Sequence, residues 1–233
     1  GKDPIAEAIS QQLRNQRADE IPQLFHYAQL LLALSVQQAK YGATGTAAAY
    51  WARWREKEFS EDSLRALLRG LTTAEASELR RLLAESPHRT PPEQLVAMEA
   101  ALGSLSADRV PTDQDRLLQA VCTPSRLLEL ARSFTLYEEG QRKIARYQQF
   151  NCVRKCLTRF DASEPDGRRT GGIVWHTQGS GKSLTMCMLA AQVMVKYAAL
   201  SPRVVIVTDR IDLDEQIADT FRRVLGEDSV VRA

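Results

Sequence analysis

The sequence has little of what assigns a chain to a specialised class. Its 233 residues include four cysteines, and aromatic residues make up 6% of the composition. Because the cysteines form no recognisable framework, a reducing cytosol is the simplest expectation. No apolar run approaches the roughly 20 residues of a membrane helix. The opening residues, GKDPIAEAIS, lack the apolar core of a signal peptide. We therefore expect a cytoplasmic protein without membrane attachment.

The chain also lacks a marked net charge. Its 31 lysines and arginines nearly balance 29 aspartates and glutamates, which leaves a formal charge of +2. Any site for a polyanion must therefore arise from local clustering. The hydrophobic content of 44% is ordinary for a globular protein, and the length allows one large or two modest domains. An initiator methionine is absent too, so we expect a fragment or a processed product.

The first part of the chain mixes helical and extended patterns. Residues 4–16 predict a helix with apolar residues on one face. Residues 21–35 are strongly apolar, which favours a buried strand ending near Ser35, with a buried helix as the alternative. Residues 41–54 indicate a glycine-punctuated turn before an aromatic segment. Residues 60–132 are helical in pattern, carry capping signals and show no catalytic constellation.

The pattern changes after residue 140. Residues 141–160 predict an amphipathic helix with basic residues on one side. Two short apolar segments, GIVWHT and RVVIVTD, are each followed by a helical pattern. Strand, helix, strand and helix at this spacing predict an α/β fold with a parallel sheet and right-handed crossovers.

A glycine-rich turn joins the first of these strands to its helix. The residues QGSGKS, 178–183, match the end of the phosphate-loop pattern, with His176 at its first glycine position. Gly179 and Gly181 permit a close approach of phosphate oxygens to the backbone. Lys182 would reach the β- and γ-phosphates of ATP, and the Ser183 hydroxyl would bind Mg²⁺. A turn that only joins strand to helix is the alternative. It does not explain a lysine where the helix dipole disfavours a cation.

Two kinds of phosphate-loop protein are compatible with these residues. In a simple nucleotide kinase or GTPase, RVVIVTD would supply Asp209 as a magnesium ligand. In a helicase-like motor, the same strand would carry a DNA-backbone contact instead. The continuation TDRIDLDEQ and the upstream segment RYQQF favour the motor.

Three stretches resemble one family more closely. KIARYQQFNCVRKCL, GGIVWHTQGSGKSLTM and VVIVTDRIDLDEQIADTF resemble the restriction (R) subunit of type I restriction-modification enzymes, a superfamily 2 DNA translocase joined to a PD-(D/E)xK nuclease. In that family a histidine replaces the first loop glycine. AISQQLRNQRADEIPQLFHYAQLLLA and YGATGTAAAYWARWRE resemble the segment after its nuclease motif. The resemblance is weakest over residues 60–120.

The resemblance implies a division into three parts. Residues 1–59 would be the C-terminal part of an α/β nuclease domain, 60–125 a helical insertion, and 126–233 the first half of a RecA-like motor domain. The cofactors would be ATP and Mg²⁺, in a bacterial or archaeal cytoplasm. In the whole enzyme, ATP hydrolysis would move double-stranded DNA past a complex with modification and specificity subunits, and cleavage would follow.

The resemblance also assigns roles to single residues. Gln149 would read the adenine edge, Arg146 would support that pocket, and Thr177 would be a further ATP-binding residue. A solvated helix position is the alternative for Gln149. Thr208, Asp209 and Arg210 would contact the DNA backbone, with an ion pair to Asp212 or Asp214 as the alternative for Arg210. Gln12 would lie on a helix beside the nuclease site.

The motifs of a complete motor and of a complete nuclease are missing from this stretch. We find no Walker-B carboxylate pair, no second motor lobe and no nuclease E-x-K set. We therefore expect the polypeptide to bind nucleotide weakly and not to hydrolyse ATP. Two other functions stay open, another superfamily 2 helicase or remodeller and a non-enzymatic nucleotide-binding fragment.

Three smaller features are better explained by packing or solvation than by chemistry. Cys152 and Cys156 could form half of a zinc site, but no further ligands stand near them in the sequence. Trp51 and Trp54 could stack on bases, although a core position is favoured. A basic run that could contact DNA is more simply a solvated face; it comprises Arg154, Lys155, Arg159, Arg168 and Arg169.

Overall fold

The computed structural model describes residues 3–55, 61–68, 72–85, 91, 93–94, 96–97, 110–162 and 165–230. The elements in chain order are α1 (Pro4–Asn15), β1 (Leu31–Leu34), β2 (Ala39–Gly42), α2 (Glu61–Leu67), α3 (Thr73–Glu85), α4 (Asp113–Cys122), α5 (Pro124–Ser133), β3 (Thr135–Glu138), β4 (Gln141–Ile144), α6 (Tyr147–Asp161), α7 (Lys182–Lys196) and α8 (Ile211–Leu225). Of the helices in these ranges, none is long and apolar enough to cross a membrane.

Helix α1 and the hairpin β1–β2 form the N-terminal unit. The helix begins where the Asp3 carboxylate accepts a hydrogen bond from the amide of Ile5 at 3.0 Å, an N-cap that satisfies one free N–H of the first turn. Its buried residues, Ile5 and Ile9, pack against the antiparallel hairpin and Trp51. The predicted helix is confirmed. The predicted strand over 21–35 is confirmed only for its last residues.

Helices α4 to α8 and the hairpin β3–β4 form a larger core. Local signals set its helix ends, because Thr112 and Asp115 exchange capping hydrogen bonds at the start of α4 and Pro124 opens α5. The chain turns sharply at Glu139 and Gly140, both at positive φ, so residues 141–144 pair with β3. The predicted helix over 141–160 was therefore wrong over residues 141–146, and α6 starts at Tyr147.

The two units share one interior. Ala39 and Tyr41 of β2 belong to the larger core, and the Tyr41 hydroxyl donates to the carbonyl of Ala145 at 2.8 Å. Trp54 packs on Phe150 with 5.3 Å between ring centroids. Arg142 of β4 donates to the carbonyl of Ala28. The segment between β4 and α6 thus lies directly against the N-terminal unit.

The predicted parallel sheet is not present in the described residues. Their sheets are the two antiparallel hairpins, and residues 171–177 and 203–209 are unpaired chain. Both predicted strands are exposed, with Ile173 94% and Val207 88% accessible. A parallel sheet needs neighbouring strands and covered faces to bury such residues, and two strands alone are marginal. The described residues contain helices and strands, as predicted for an α/β fold, but their strands are antiparallel. The parallel sheet, with strands at these two segments, stays a prediction.

The C-terminal ends of α6 and α7 are joined by a polar contact. Lys196 and the Tyr197 hydroxyl both donate to the Asp161 carboxylate, and these bonds lower the pKa of Asp161. Because its pKa is lower in the folded than in the unfolded state, the ionised Asp161 carboxylate stabilises the fold. This stabilisation is complete at pH values above the ordinary aspartate pKa. It is lost as the pH falls through the pKa that Asp161 has in the folded state.

Asp161→Asn is accordingly expected to lower the urea midpoint slightly near neutral pH. The difference in urea midpoint between the variant and the wild type should vanish as the Asp161 carboxylate of the wild type becomes protonated. Urea titrations of both proteins from about pH 7 down to about pH 2.5 would measure this difference. Asp19→Asn, on the exposed turn after α1, is the control. A difference that persisted unchanged into acid would contradict the expectation.

Candidate functional site

The phosphate loop, defined here as residues 177–183, has the backbone of an anion site. Gly179 and Gly181 adopt φ values of 74° and 78°, which residues with a Cβ rarely reach. The Ser180 amide donates to the Thr177 carbonyl at 3.3 Å and closes the turn. Gly181 is the N-cap of α7, and no side chain caps this end. The first N–H groups of α7 therefore lack helical partners, and such groups favour an anion.

Lys182 and Ser183 follow at the start of the helix. The Lys182 side chain is exposed and makes no ion pair in the part of the chain that the structure describes. The helix dipole disfavours a cation at this end, so the lysine does not stabilise α7 through it. Ser183 is half-buried beside it. An ammonium group and a hydroxyl next to free amides suit a phosphate with a bound cation.

Gln149 lies beneath the phosphate loop. Its side chain is 4% exposed, and its amide nitrogen donates to the carbonyls of Gly181 at 3.1 Å and Ser180 at 3.4 Å. Its amide oxygen accepts from the backbone N–H of Arg146 at 2.8 Å. The alternative of a solvated helix residue is therefore wrong. The adenine-reading role stays a prediction, and in this structure the amide N–H groups bond to the loop itself.

The two loop glycines provide a matched pair of substitutions. Alanine at Gly179 would meet nothing within 4 Å, whereas a Cβ on Gly181 would lie 2.7 Å from the Gln149 amide nitrogen. Both changes should reduce the free energy of unfolding by about 1 to 2 kcal/mol, because of the positive φ. Gly181→Ala should cost about 1 to 3 kcal/mol more, because Gln149 must release its loop carbonyls. Urea unfolding of both variants measures the difference, and equal losses would contradict it.

Two buried polar atoms near the loop have no partner among the described residues. These are the Ser180 hydroxyl oxygen and the Nδ1 atom of His176. Ser180 is 8% exposed, and His176 is half-buried. A buried hydroxyl without a partner is costly unless a ligand or a loop movement satisfies it.

The predicted DNA-contacting residues lie on the exposed approach to α8. Arg210 is the N-cap residue of α8, and its guanidinium lies 3.9 Å from the Asp209 carboxylate. These two side chains are 77% and 81% exposed, while Thr208 is half-buried. Within the described ranges, no hydrogen bond or ion pair joins them to the phosphate loop. Their contact with DNA stays a prediction.

Gln12 joins α1 to the first hairpin. Its amide nitrogen donates to the Leu32 carbonyl at 2.7 Å. One turn later, Gln16 accepts from the Gly45 amide at 2.8 Å. Gln12 thus joins α1 to the hairpin, and Gln16 joins the end of α1 to the turn after β2. The role of Gln12 beside a nuclease site stays a prediction.

The cysteines and tryptophans fit packing better than chemistry. Burial raises the pKa of the Cys152 thiol to about 11, so at neutral pH the thiol is protonated in this environment. The described residues contain no group of three or more histidine, cysteine or acidic side chains placed to hold a metal. Trp51 is buried and Trp54 packs against the larger core, as expected.

Several residues of the basic run have partners within the protein. Arg154 lies 3.7 Å from Glu129, and Arg168 lies 2.8 Å from Asp166. Arg159 donates to the carbonyls of Thr170 and Gly171, and so holds the segment that leads to the phosphate loop. These contacts favour a structural role for the basic residues over contact with DNA.

Sequence reasoning did not identify Tyr41 as a residue linked to the loop. It lies in a segment that the sequence indicated only as turn and aromatics, far from any motif. Its hydrogen bond to Ala145 spans 104 positions, so no local pattern signals it.

Comparison with known proteins supports the family resemblance. The family model SWI2/SNF2 ATPase matches residues 148–233. The HindI type I restriction enzyme endonuclease subunit of Haemophilus influenzae is 36% identical over 148 residues, which cover 52% of this chain and 14% of that protein. Two Methanocaldococcus jannaschii proteins named as type I restriction enzyme endonuclease subunits, MjaIXP and MjaVIIP, are 36% and 32% identical. They match 50% and 45% of this chain, and 11% and 10% of their own lengths.

No solved structure matches the chain. The chain spans only a small part of the length of its curated relatives. The SWI2/SNF2 match begins at the residue before Gln149 and includes the phosphate loop and α8. The chain is thus homologous to the endonuclease subunits of type I restriction enzymes, the family that its own motifs indicated.

Proposed function

We propose that the chain binds ATP with Mg²⁺ at the phosphate loop, as part of the motor of a type I restriction endonuclease. One observation carries the proposal: a helix N-terminus without a side-chain cap, two glycines at positive φ and a lysine with no ion pair among the described residues occur together at residues 179–182. This combination costs stability without a ligand, because it leaves amides unbonded and a cation at the wrong end of a helix. A triphosphate would satisfy both.

Different residues would bind the phosphates, the magnesium and the adenine. Amides of the phosphate loop and the Lys182 ammonium would hold the phosphates, and Ser183 would bind the magnesium. Thr177, Gln178, Gly179, Ser180 and Gly181 would form the wall of the loop. Arg146 and Gln149 would lie at the adenine side of the site. Bound Mg²⁺ would neutralise phosphate charge.

The whole protein is proposed to translocate and cleave double-stranded DNA with modification and specificity subunits. In that context residues 126–233 would form the first half of a RecA-like lobe, and 171–177 and 203–209 would become strands of its parallel sheet. The apolar side chains exposed on both segments support this, since burial in a sheet would remove them from water. Thr208, Asp209 and Arg210 would contact the phosphate backbone, which needs no base recognition. Residues 1–59 would belong to the nuclease domain and 60–125 to a helical insertion.

Calorimetric titration of the purified chain with MgATP tests the binding step. We expect weak but saturable binding that EDTA weakens, and no turnover in a phosphate-release assay. Absence of binding at millimolar MgATP would refute the proposal. Turnover that Lys182→Ala abolished would instead show that the chain hydrolyses ATP without the missing motifs.

A second candidate is a remodelling or helicase motor without nuclease activity, which the SWI2/SNF2 match favours. The full-length protein with its modification and specificity subunits separates the two. ATP-dependent cleavage of long unmodified DNA supports the restriction enzyme. DNA-stimulated ATP hydrolysis without cleavage supports the remodeller.

A further inference from the structure

One peptide group connects the N-terminal unit with the phosphate loop. It joins Ala145 to Arg146 and is hydrogen-bonded on both sides. Its carbonyl accepts from the Tyr41 hydroxyl at 2.8 Å, and its N–H donates to the Gln149 amide oxygen at 2.8 Å. The preceding amide, that of Ala145, donates to the Phe134 carbonyl at 2.8 Å. Ala145 is fully buried, so water has little access to the two bonds made by its carbonyl and its amide.

The chain of bonds continues from Gln149 into the loop. The Gln149 amide nitrogen donates to the Gly181 and Ser180 carbonyls. A hydroxyl, a peptide group and a carboxamide therefore stand in series between Tyr41 and the phosphate loop. The peptide group and the carboxamide each accept on one side and donate on the other, so polarisation of one bond strengthens the next. Such a series restricts the loop more than separate contacts would.

The position of Tyr41 is itself fixed by packing. The residue is 1% exposed, and its ring lies 5.7 Å from that of Trp54, which in turn contacts Phe150. Burial raises the pKa of the Tyr41 hydroxyl far above its ordinary value. The hydroxyl is therefore a permanent donor at physiological pH.

We infer that Tyr41 is a positioning residue for the nucleotide site. Its hydroxyl orients the Ala145–Arg146 peptide, which orients the Gln149 amide, which holds the carbonyls of Ser180 and Gly181 so that the amides of the loop face a triphosphate. The N-terminal unit thereby sets the geometry of a site to which it contributes no ligand contact. Only the expected effect of Tyr41 on MgATP affinity rests on the proposed function; the effect on the loop itself does not.

Four variants of the chain test the linkage: Tyr41→Phe, Gln149→Ala, the double variant, and Tyr197→Phe as the control. Tyr197→Phe also removes a hydroxyl hydrogen bond that involves α7, but at the far end of the helix. The first readout is hydrogen exchange of the Ser180 and Thr185 amides, whose bonds lie within and just after the loop. The second is the dissociation constant of MgATP.

Tyr41→Phe should accelerate loop exchange and weaken MgATP binding by about three- to tenfold each, the factor expected for one lost hydrogen bond. In Tyr41→Phe, the hydrogen-exchange rates of α8 amides should equal those of the wild type. In Tyr197→Phe, the exchange rates of the loop amides should equal those of the wild type. In the Gln149→Ala background, Tyr41→Phe should add nothing, because the series is already broken. Unchanged loop exchange, an equal acceleration in every helix, or full additivity would each overturn the inference.

The two proposals fail separately. If the wild type binds no MgATP, the proposed function is refuted. The exchange data on the free protein still decide whether Tyr41 restrains the loop.

Discussion

Lys182→Ala is expected to weaken MgATP binding by about 10- to 100-fold. A charge-assisted hydrogen bond contributes roughly 1.5 to 3 kcal/mol, and each 1.4 kcal/mol changes affinity tenfold. Lys182 is exposed and has no ion pair among the described residues, so its removal should leave the fold intact. Calorimetry with MgATP measures the affinity, and the urea midpoint should stay near that of the wild type.

Lys155→Ala is the matched control for this substitution. Lys155 is also an exposed lysine, and it lies in α6. Its replacement by alanine removes the same charge from the chain as Lys182→Ala does. It should leave MgATP affinity unchanged. Equal losses from both substitutions would indicate nonspecific attraction of the anion, and no loss from Lys182→Ala would refute the assignment of the loop.

Phe150→Ala is expected to reduce the free energy of unfolding by about 3 to 5 kcal/mol, as for other buried phenylalanines. Phe150 is fully buried, with its ring centroid 4.4 Å from that of Phe134 and 5.3 Å from that of Trp54. The Arg126 guanidinium also lies 4.4 Å from the ring centroid. Removing the ring leaves a cavity where both units meet. Urea unfolding followed by circular dichroism measures the loss.

Two further variants make this test specific. Phe150→Leu keeps most of the volume and should cost less than Phe150→Ala. Tyr27→Ala removes an aromatic ring that is 89% exposed, and should change stability by about 0.5 kcal/mol or less. A small loss from Phe150→Ala would show that the aromatic cluster does not join the two units energetically.

The helices were the most predictable part of the fold. The start of α1 agrees with the sequence, and α4 and α5 lie within the stretch predicted to be helical, because caps and prolines act on the neighbouring turn alone. The strands were less predictable. The apolar segments at 171–177 and 203–209 have the composition of strands, yet a strand forms only where a partner supplies hydrogen bonds. The pairing of β3 with β4 was missed because a turn at Glu139 and Gly140 decides it.

The sequence by itself determined most of the helices and the glycine turn before Lys182, because both depend on residues within a turn or two of each other. It also indicated the family, through the residues around Lys182 and α8. Only the tertiary structure decided that Gln149 lies beneath the loop and that Tyr41 reaches the same backbone. Those contacts join residues 32 and 104 positions apart, and they exist because the packing of α6, α7 and β2 brings distant backbone groups within hydrogen-bonding distance.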